Sequence, residues 1–336
     1  MNDRAALSHA FLAKAGWGDA DRQFLAGDAS DRSYDRLSWG SKTAVLMDAP
    51  PGKGDDTATF LAIAQHLSAT GLSGPNCYAQ DLENGFLLLE DLGDNIYATL
   101  LKSAPTLENS LYTAATRVLA HLQCHPPAAN LANLAAQDWA EAACFALDWY
   151  RFAITGDRTD PTDFRNALID AISRHADGPR VMILRDFHAE NLLWLPDRPG
   201  LARVGLLDFQ LAQLGQPGYD LVSLLQDARR DVSRETEAAM IGVFCNLTGT
   251  AADSFRPAYA TLGAQRALRI LGIFARLCLH SDKPNYIPLI PRVWHHLQRN
   301  LAEPELSPLA RICARLLPEP TPEALARIGA QCGHFR

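Results

Sequence analysis

Over its first ninety residues the chain places apolar positions in short alternating runs cut by turn residues, and beyond them in long runs of helical period. Residues 5–15 have the spacing of a short amphipathic helix. Residues 24–39 read as strand, turn and strand around the polar segment 27–33, with Tyr34, Leu37 and Trp39 as good strand formers. Gly40-Ser41-Lys42 is a turn, and residues 43–47 make the next strand. A helix is expected over 57–69, carried by Phe60, Ile63, Ala64 and Leu67 and closed by Gly71. Residues 77–80 and 85–89 form a further hairpin that leads into Glu90-Asp91-Leu92-Gly93. Afterwards helical spacing dominates, over 107–124, 139–153, 161–175, 220–230, 234–247, 251–279 and 290–302. The pattern predicts an α+β chain: residues 1–92 form a small antiparallel sheet with a helix, and residues 93–336 a larger, mainly helical part.

One interruption of the helical part carries the chemistry. Three apolar runs, Val181–Leu184, Leu192–Leu195 and Val204–Leu207, are short buried strands, and Pro196-Asp197-Arg198-Pro199-Gly200 between the last two is strong turn chemistry, so those two form a hairpin. Polar residues stand at the strand ends: Asp186, then Asn191 five positions on, then Asp208. An Asp that orients and deprotonates a hydroxyl, with an Asn and a second Asp that hold magnesium, is the set a phosphoryl-transfer site requires at one point in space. Oxygen ligands of this kind suit a hard cation. Convergence of the three is therefore expected.

Bulk properties narrow the field. The 336 residues are 48% hydrophobic, enough for a large core and for two lobes. The net charge of −7 and the lack of any basic run argue against a nucleic-acid partner. Seven scattered cysteines without a Cys-x-x-Cys pair fit a reducing interior. The start Met1-Asn2-Asp3-Arg4 has no leader pattern, and no apolar run nears the ~18 residues of a membrane span. A cytoplasmic protein with no membrane association is expected, and the pattern specifies no oligomeric state.

On the residues 184–191 and 208–210, with Gly27-Asp28-Ala29-Ser30, residues 45–51, residues 86–93, residues 219–225 and residues 271–277, the chain resembles the aminoglycoside phosphotransferase and choline kinase-like family. Within it, it is most similar to the bacterial cell-wall amino-sugar kinases, which phosphorylate N-acetylmuramate and N-acetylglucosamine at the anomeric carbon. The likeness runs from about residue 27 to about residue 301. It implies a protein-kinase-like two-lobe fold, ATP and Mg2+ as cofactors, and a small-molecule acceptor, an amino sugar. It further implies Asp186 as the base, Asn191 and Asp208 as metal ligands, and Gly27, Ser30 and Arg32 over the nucleotide phosphates. Glu90 and Leu92 would flank the adenine edge at a hinge, which also reads as a simple capped turn at Asp91. His188 and Gln210 are candidate substrate contacts, with a loop-packing histidine as the favoured rival reading of His188. Asp220 resembles the family carboxylate that accepts from the catalytic-loop backbone, with a helix N-cap as the rival reading.

Two departures stand out. Met47 occupies the place of the strand-3 lysine, and the helix over 57–69 has no Glu to pair with one. Arg32 is the expected source of the missing positive charge, ahead of Lys42 and Lys53. Leu184 stands where the catalytic loop usually has a His. Besides an amino-sugar kinase, an aminoglycoside or amino-alcohol phosphotransferase and a noncatalytic nucleotide-binding pseudokinase stay open. His121 and His125 lack further ligands for a zinc site. Arg266, Arg269 and Arg276 recur along one helix, either as a solvated face or as positive charge projected into the cleft.

Overall fold

In the computed structural model, residues 4–27, 32–52 and 56–335 are described. They form two compact units, the first of Met1–Asn130 with Ala189–Ala212, the second of Leu131–His188 with Gln213–Arg336.

The first unit is built on an antiparallel sheet of five strands, β1 (Asp21–Gly27), β2 (Ser33–Trp39), β3 (Lys42–Asp48), β4 (Cys77–Asp81) and β5 (Phe86–Leu89), in the order β1-β2-β3-β5-β4. Because side chains alternate across a strand, register assigns them to faces. Tyr34 opposite Met47 and Arg36 opposite Val45 continue to Leu87 and Leu89 on β5. The other face presents Leu37, Ala44, Leu46, Phe86 and Leu88, which pack with Phe11 and Leu12 of the helix Arg4–Lys14. Met47 is thus a buried sheet residue, 1% exposed. The helix Thr57–Ala69 starts at Asp56, whose carboxylate accepts from the Ala58 amide at 3.1 Å, and it buries Phe60, Ile63, Ala64 and Leu67 as its spacing predicts.

The expected hairpin is present, with Leu192–Trp194 antiparallel to Val204–Leu206. Backbone bonds stitch it into the first unit: the Leu206 amide donates to Ser73, that of Trp194 to Asn95, and that of Ala98 to Ala189, at 2.8–3.0 Å. This is why a segment a hundred residues from the sheet belongs to the same unit.

The second unit packs around one helix, Ala252–Ser281. The helix expected over 139–153 is broken. Ala136–Ala143 is followed by a wider π-helical turn, Ala146–Arg151, and by Phe152–Thr155. The helix expected over 220–230 stops at Leu225. Two strands, Val181–Ile183 and Gln213–Gly215, pair antiparallel, the second without an apolar pattern to announce it. At Gly272 the central helix approaches the backbone of Phe145 so closely that an added Cβ would overlap the Phe145 carbonyl. Gly272→Ala is expected to destabilise the protein by about 2 kcal/mol through this overpacking, seen as a lower urea midpoint; an unchanged midpoint would show that the helix has room to shift.

Candidate active site

The pocket-facing side of the sheet opens onto a cavity of about 530 Å³ within the first unit. Val45 and Leu89 line it from the sheet, as do Tyr34 and Arg36 from β2, with Gly27, residues 90–94, Asn191, Asp208 and Phe209 around them. Its volume and largely apolar wall suit a small-molecule ligand held by a few polar groups. Tyr34 and Arg36 were not anticipated as lining residues. The signal was present, since Arg32, Tyr34 and Arg36 share one side of an alternating strand.

The segment 90–94 is tied by its side chains. Glu90 accepts from the Asn76 side-chain amide at 2.8 Å and pairs with Arg198. Asp91 accepts from the Gly93 amide at 3.0 Å, the capped turn, and pairs with Arg36 at 2.8 Å, as does Asp94. The Asp94 and Asp91 carboxylates hold the Arg36 pKa above its ordinary value despite partial burial. These carboxylates are engaged, the Glu90 amide donates to the Asn76 carbonyl at 2.8 Å, and Leu92 lines the cavity directly.

At the far end of the cavity Asn191 and Asp208 come together, the Asn191 amide nitrogen 3.4 Å from Asp208 Oδ2. Gln210 Nε2 donates to Asp208 Oδ1 at 2.7 Å, and the buried Arg32 guanidinium lies 3.6 Å from the same oxygen. Asp208 is held at φ +56°, a left-handed conformation unusual for a non-glycine residue and found most where function fixes the backbone. What holds it is the next residue: Phe209 is fully buried and stacks on Phe60 with ring centroids 4.9 Å apart. Amide and carboxylate oxygens fit magnesium by their chemistry. Among the described residues no three His, Cys, Asp or Glu side chains cluster for a metal. Ser30 and Lys53 lie outside the described residues.

The second unit carries Asp186, His188 and Asp220. Asp220 is wholly buried, and its carboxylate accepts from the amides of Leu184 at 2.6 Å and Arg185 at 2.8 Å. Those bonds hold the chain as it enters the loop, where Arg185 takes a left-handed φ of +71°. Leu184, in the place of the usual histidine, is buried, as is His188, whose pKa burial lowers from its ordinary value. Asp186 is half-buried.

Residues 21–259 match the phosphotransferase enzyme family, and the chain belongs to it. It is a phosphotransferase, an enzyme that passes a phosphoryl group to a hydroxyl acceptor. An N-acetylmuramate/N-acetylglucosamine kinase of Caulobacter vibrioides is 37% identical over 95% of this chain and 98% of its own length. A choline/ethanolamine kinase family protein of Mesorhizobium loti superposes with a TM-score of 0.62 at 15% identity, over 97% of this chain and 99% of that one. An ADP-bound aminoglycoside phosphotransferase superposes with a TM-score of 0.57 at 14% identity, over 88% and 97%. These likenesses give the chain the protein-kinase-like fold expected from its sequence. Among the described residues no helix is long and apolar enough to cross a membrane.

Burial raises the Asp220 pKa to about 6, the two backbone amides opposing it only in part. A carboxyl whose folded pKa lies above its unfolded value contributes stability that is complete below the unfolded pKa of about 4 and lost as pH rises through about 6. Wild-type unfolding free energy should therefore fall by up to ~3 kcal/mol relative to Asp220→Asn between pH 4 and pH 6.5. Denaturant titrations of both proteins across that range test it, and parallel curves would contradict a buried carboxyl that titrates there.

Proposed function

We propose that this phosphotransferase is an ATP-dependent amino-sugar kinase that phosphorylates the anomeric hydroxyl of N-acetylmuramate or N-acetylglucosamine. The observation that carries the reading is the 37% identity, over nearly the whole of both chains, to a kinase named for those two sugars. Bound ADP in a structural neighbour supports nucleotide use. In this reading residues 1–92 serve the nucleotide, and residues 93–336 carry the catalytic loop and the acceptor. The backbone at Glu90 and Leu92 meets the adenine edge, and Gly27, Ser30 and Arg32 cover the phosphates. A cytoplasmic site of action fits seven cysteines that all stand as free thiols.

Asn191 and Asp208 would hold magnesium, which would neutralise phosphate charge. Arg32, buried beside Asp208, supplies the cation that Met47 lacks. The acceptor hydroxyl attacks the γ-phosphorus in line, the bond to the β–γ bridging oxygen breaks, and ADP leaves; the hydroxyl proton passes to the Asp186 carboxylate. His188 and Gln210 are the candidate acceptor contacts, and Asp220 positions the loop by its two backbone bonds. Little covalent chemistry falls to the protein, so catalysis is positioning and charge neutralisation.

Phosphorus NMR of products from a panel of amino sugars with ATP and magnesium tests the reading. An anomeric phosphate on either named sugar is expected, whereas a phosphate on another hydroxyl, or phosphorylation of an aminoglycoside alone, would overturn it. Asp186→Asn should lower kcat by roughly 10²–10⁴-fold with ATP affinity nearly intact, and full activity would remove Asp186 as base. Asp208→Ala should abolish magnesium-dependent ATP binding, and calorimetry with unchanged affinity would contradict the metal role.

A further inference from the structure

In the second unit, Arg266 on the helix Ala252–Ser281 stands against the loop that carries Asp186, and Arg269 follows it three residues on. Arg266 is buried, lies over the Tyr219 ring at 5.6 Å, and donates to the Arg185 carbonyl at 3.3 Å and the Tyr219 hydroxyl at 3.4 Å. Arg269 is one helical step further along the same face and half-buried. Arg185 is held at φ +71°, and its Nε is buried without a hydrogen-bond partner among the described residues. Burial pulls the Arg185 pKa down, and the Arg269 charge, with that of Arg266, pulls it further, against Tyr219 and Asp186. Like charges brought together out of water are costly unless an anion joins them.

We propose that Arg185 and Arg269 form an anion-recognition site beside Asp186 that takes the carboxylate of an acidic amino-sugar acceptor. This rests on the amino-sugar reading above. Guanidinium forks match a carboxylate in geometry and stay charged at every relevant pH. Arg185 is the neighbour of the group proposed to meet the acceptor hydroxyl, so an anion held there sits on the acceptor. N-acetylmuramate carries such a carboxylate on its lactyl ether and N-acetylglucosamine does not, which makes these two arginines a device for telling the sugars apart. Arg266 is a positioning residue, since its bonds run to the Arg185 backbone and to Tyr219.

The test compares kcat/KM for the two sugars. Arg269→Gln should lower the ratio of N-acetylmuramate to N-acetylglucosamine by on the order of 30-fold, through the KM of the acidic sugar. Arg269→Lys keeps charge and bulk and should lower the ratio by a few fold, which also serves should the Gln variant fail to fold. Arg276→Gln, on the same helix but against Trp149, should leave the ratio where it was. Equal losses on both sugars, which would assign the charge to the transferring phosphoryl group, or an unmoved ratio in the Arg269 variants, would overturn the site alone. Failure of the wild type to phosphorylate either sugar would overturn the amino-sugar reading and the site with it.

Discussion

Three backbone hydrogen bonds govern the first unit: Leu206 to Ser73, Trp194 to Asn95, and Ala98 to Ala189. They pair the edges of a hairpin with the chain that follows the helix Thr57–Ala69 and the chain that follows the sheet. Without them Asn191 and Asp208 would have no fixed relation to the cavity that Val45, Leu89 and Leu92 line. Each such bond contributes about 1 kcal/mol net, less than the burial of one leucine. Their value is geometric, because they set the two oxygen-bearing side chains 3.4 Å apart at one end of the cavity. The strained φ of Asp208 is then held by Phe209, whose burial against Phe60 leaves the backbone no easier conformation.

A similar division of labour operates in the second unit. Asp220 is a carboxylate far from water that exists to accept two amides at the loop entrance. The cost of burying it is offset by those bonds only in part, as its raised pKa records. Arg266 grips the same loop from the other end of the charge scale, through the Arg185 carbonyl. The loop is therefore clamped by its backbone, at Leu184 and Arg185.

How much of this could be read from the chain follows from which forces leave a local mark. The hairpin at 192–206 was legible because short apolar runs and Pro-Asp-Arg-Pro-Gly turn chemistry are local. So were the sheet strands and the helix at 57–69, with its apolar spacing and its stop at Gly71. The strand Gln213–Gly215 was not, since Gln-Leu-Gly has no pattern and becomes a strand only by pairing with Val181–Ile183. The π-helical turn at Ala146–Arg151 escaped for the same reason: an extra residue per turn is set by packing against the central helix, while the apolar count stays helical. Around the cavity, Asn191 and Asp208 were found by spacing. Tyr34 and Arg36 were passed over because their role depends on which face of the sheet turns inward, and that is settled by the helix Arg4–Lys14 covering the opposite face.

The helix Thr57–Ala69 has no acidic side chain, and Met47 cannot offer it a cation. Its link to the Asp208 segment is a pair of stacked phenyl rings instead. An electrostatic latch weakens with ionic strength and opens when a competing charge arrives. An aromatic stack answers to neither. The helix Thr57–Ala69 itself therefore brings no acidic, lysine or arginine side chain to that joint, and the stacked rings hold it through packing that dissolved ions do not screen.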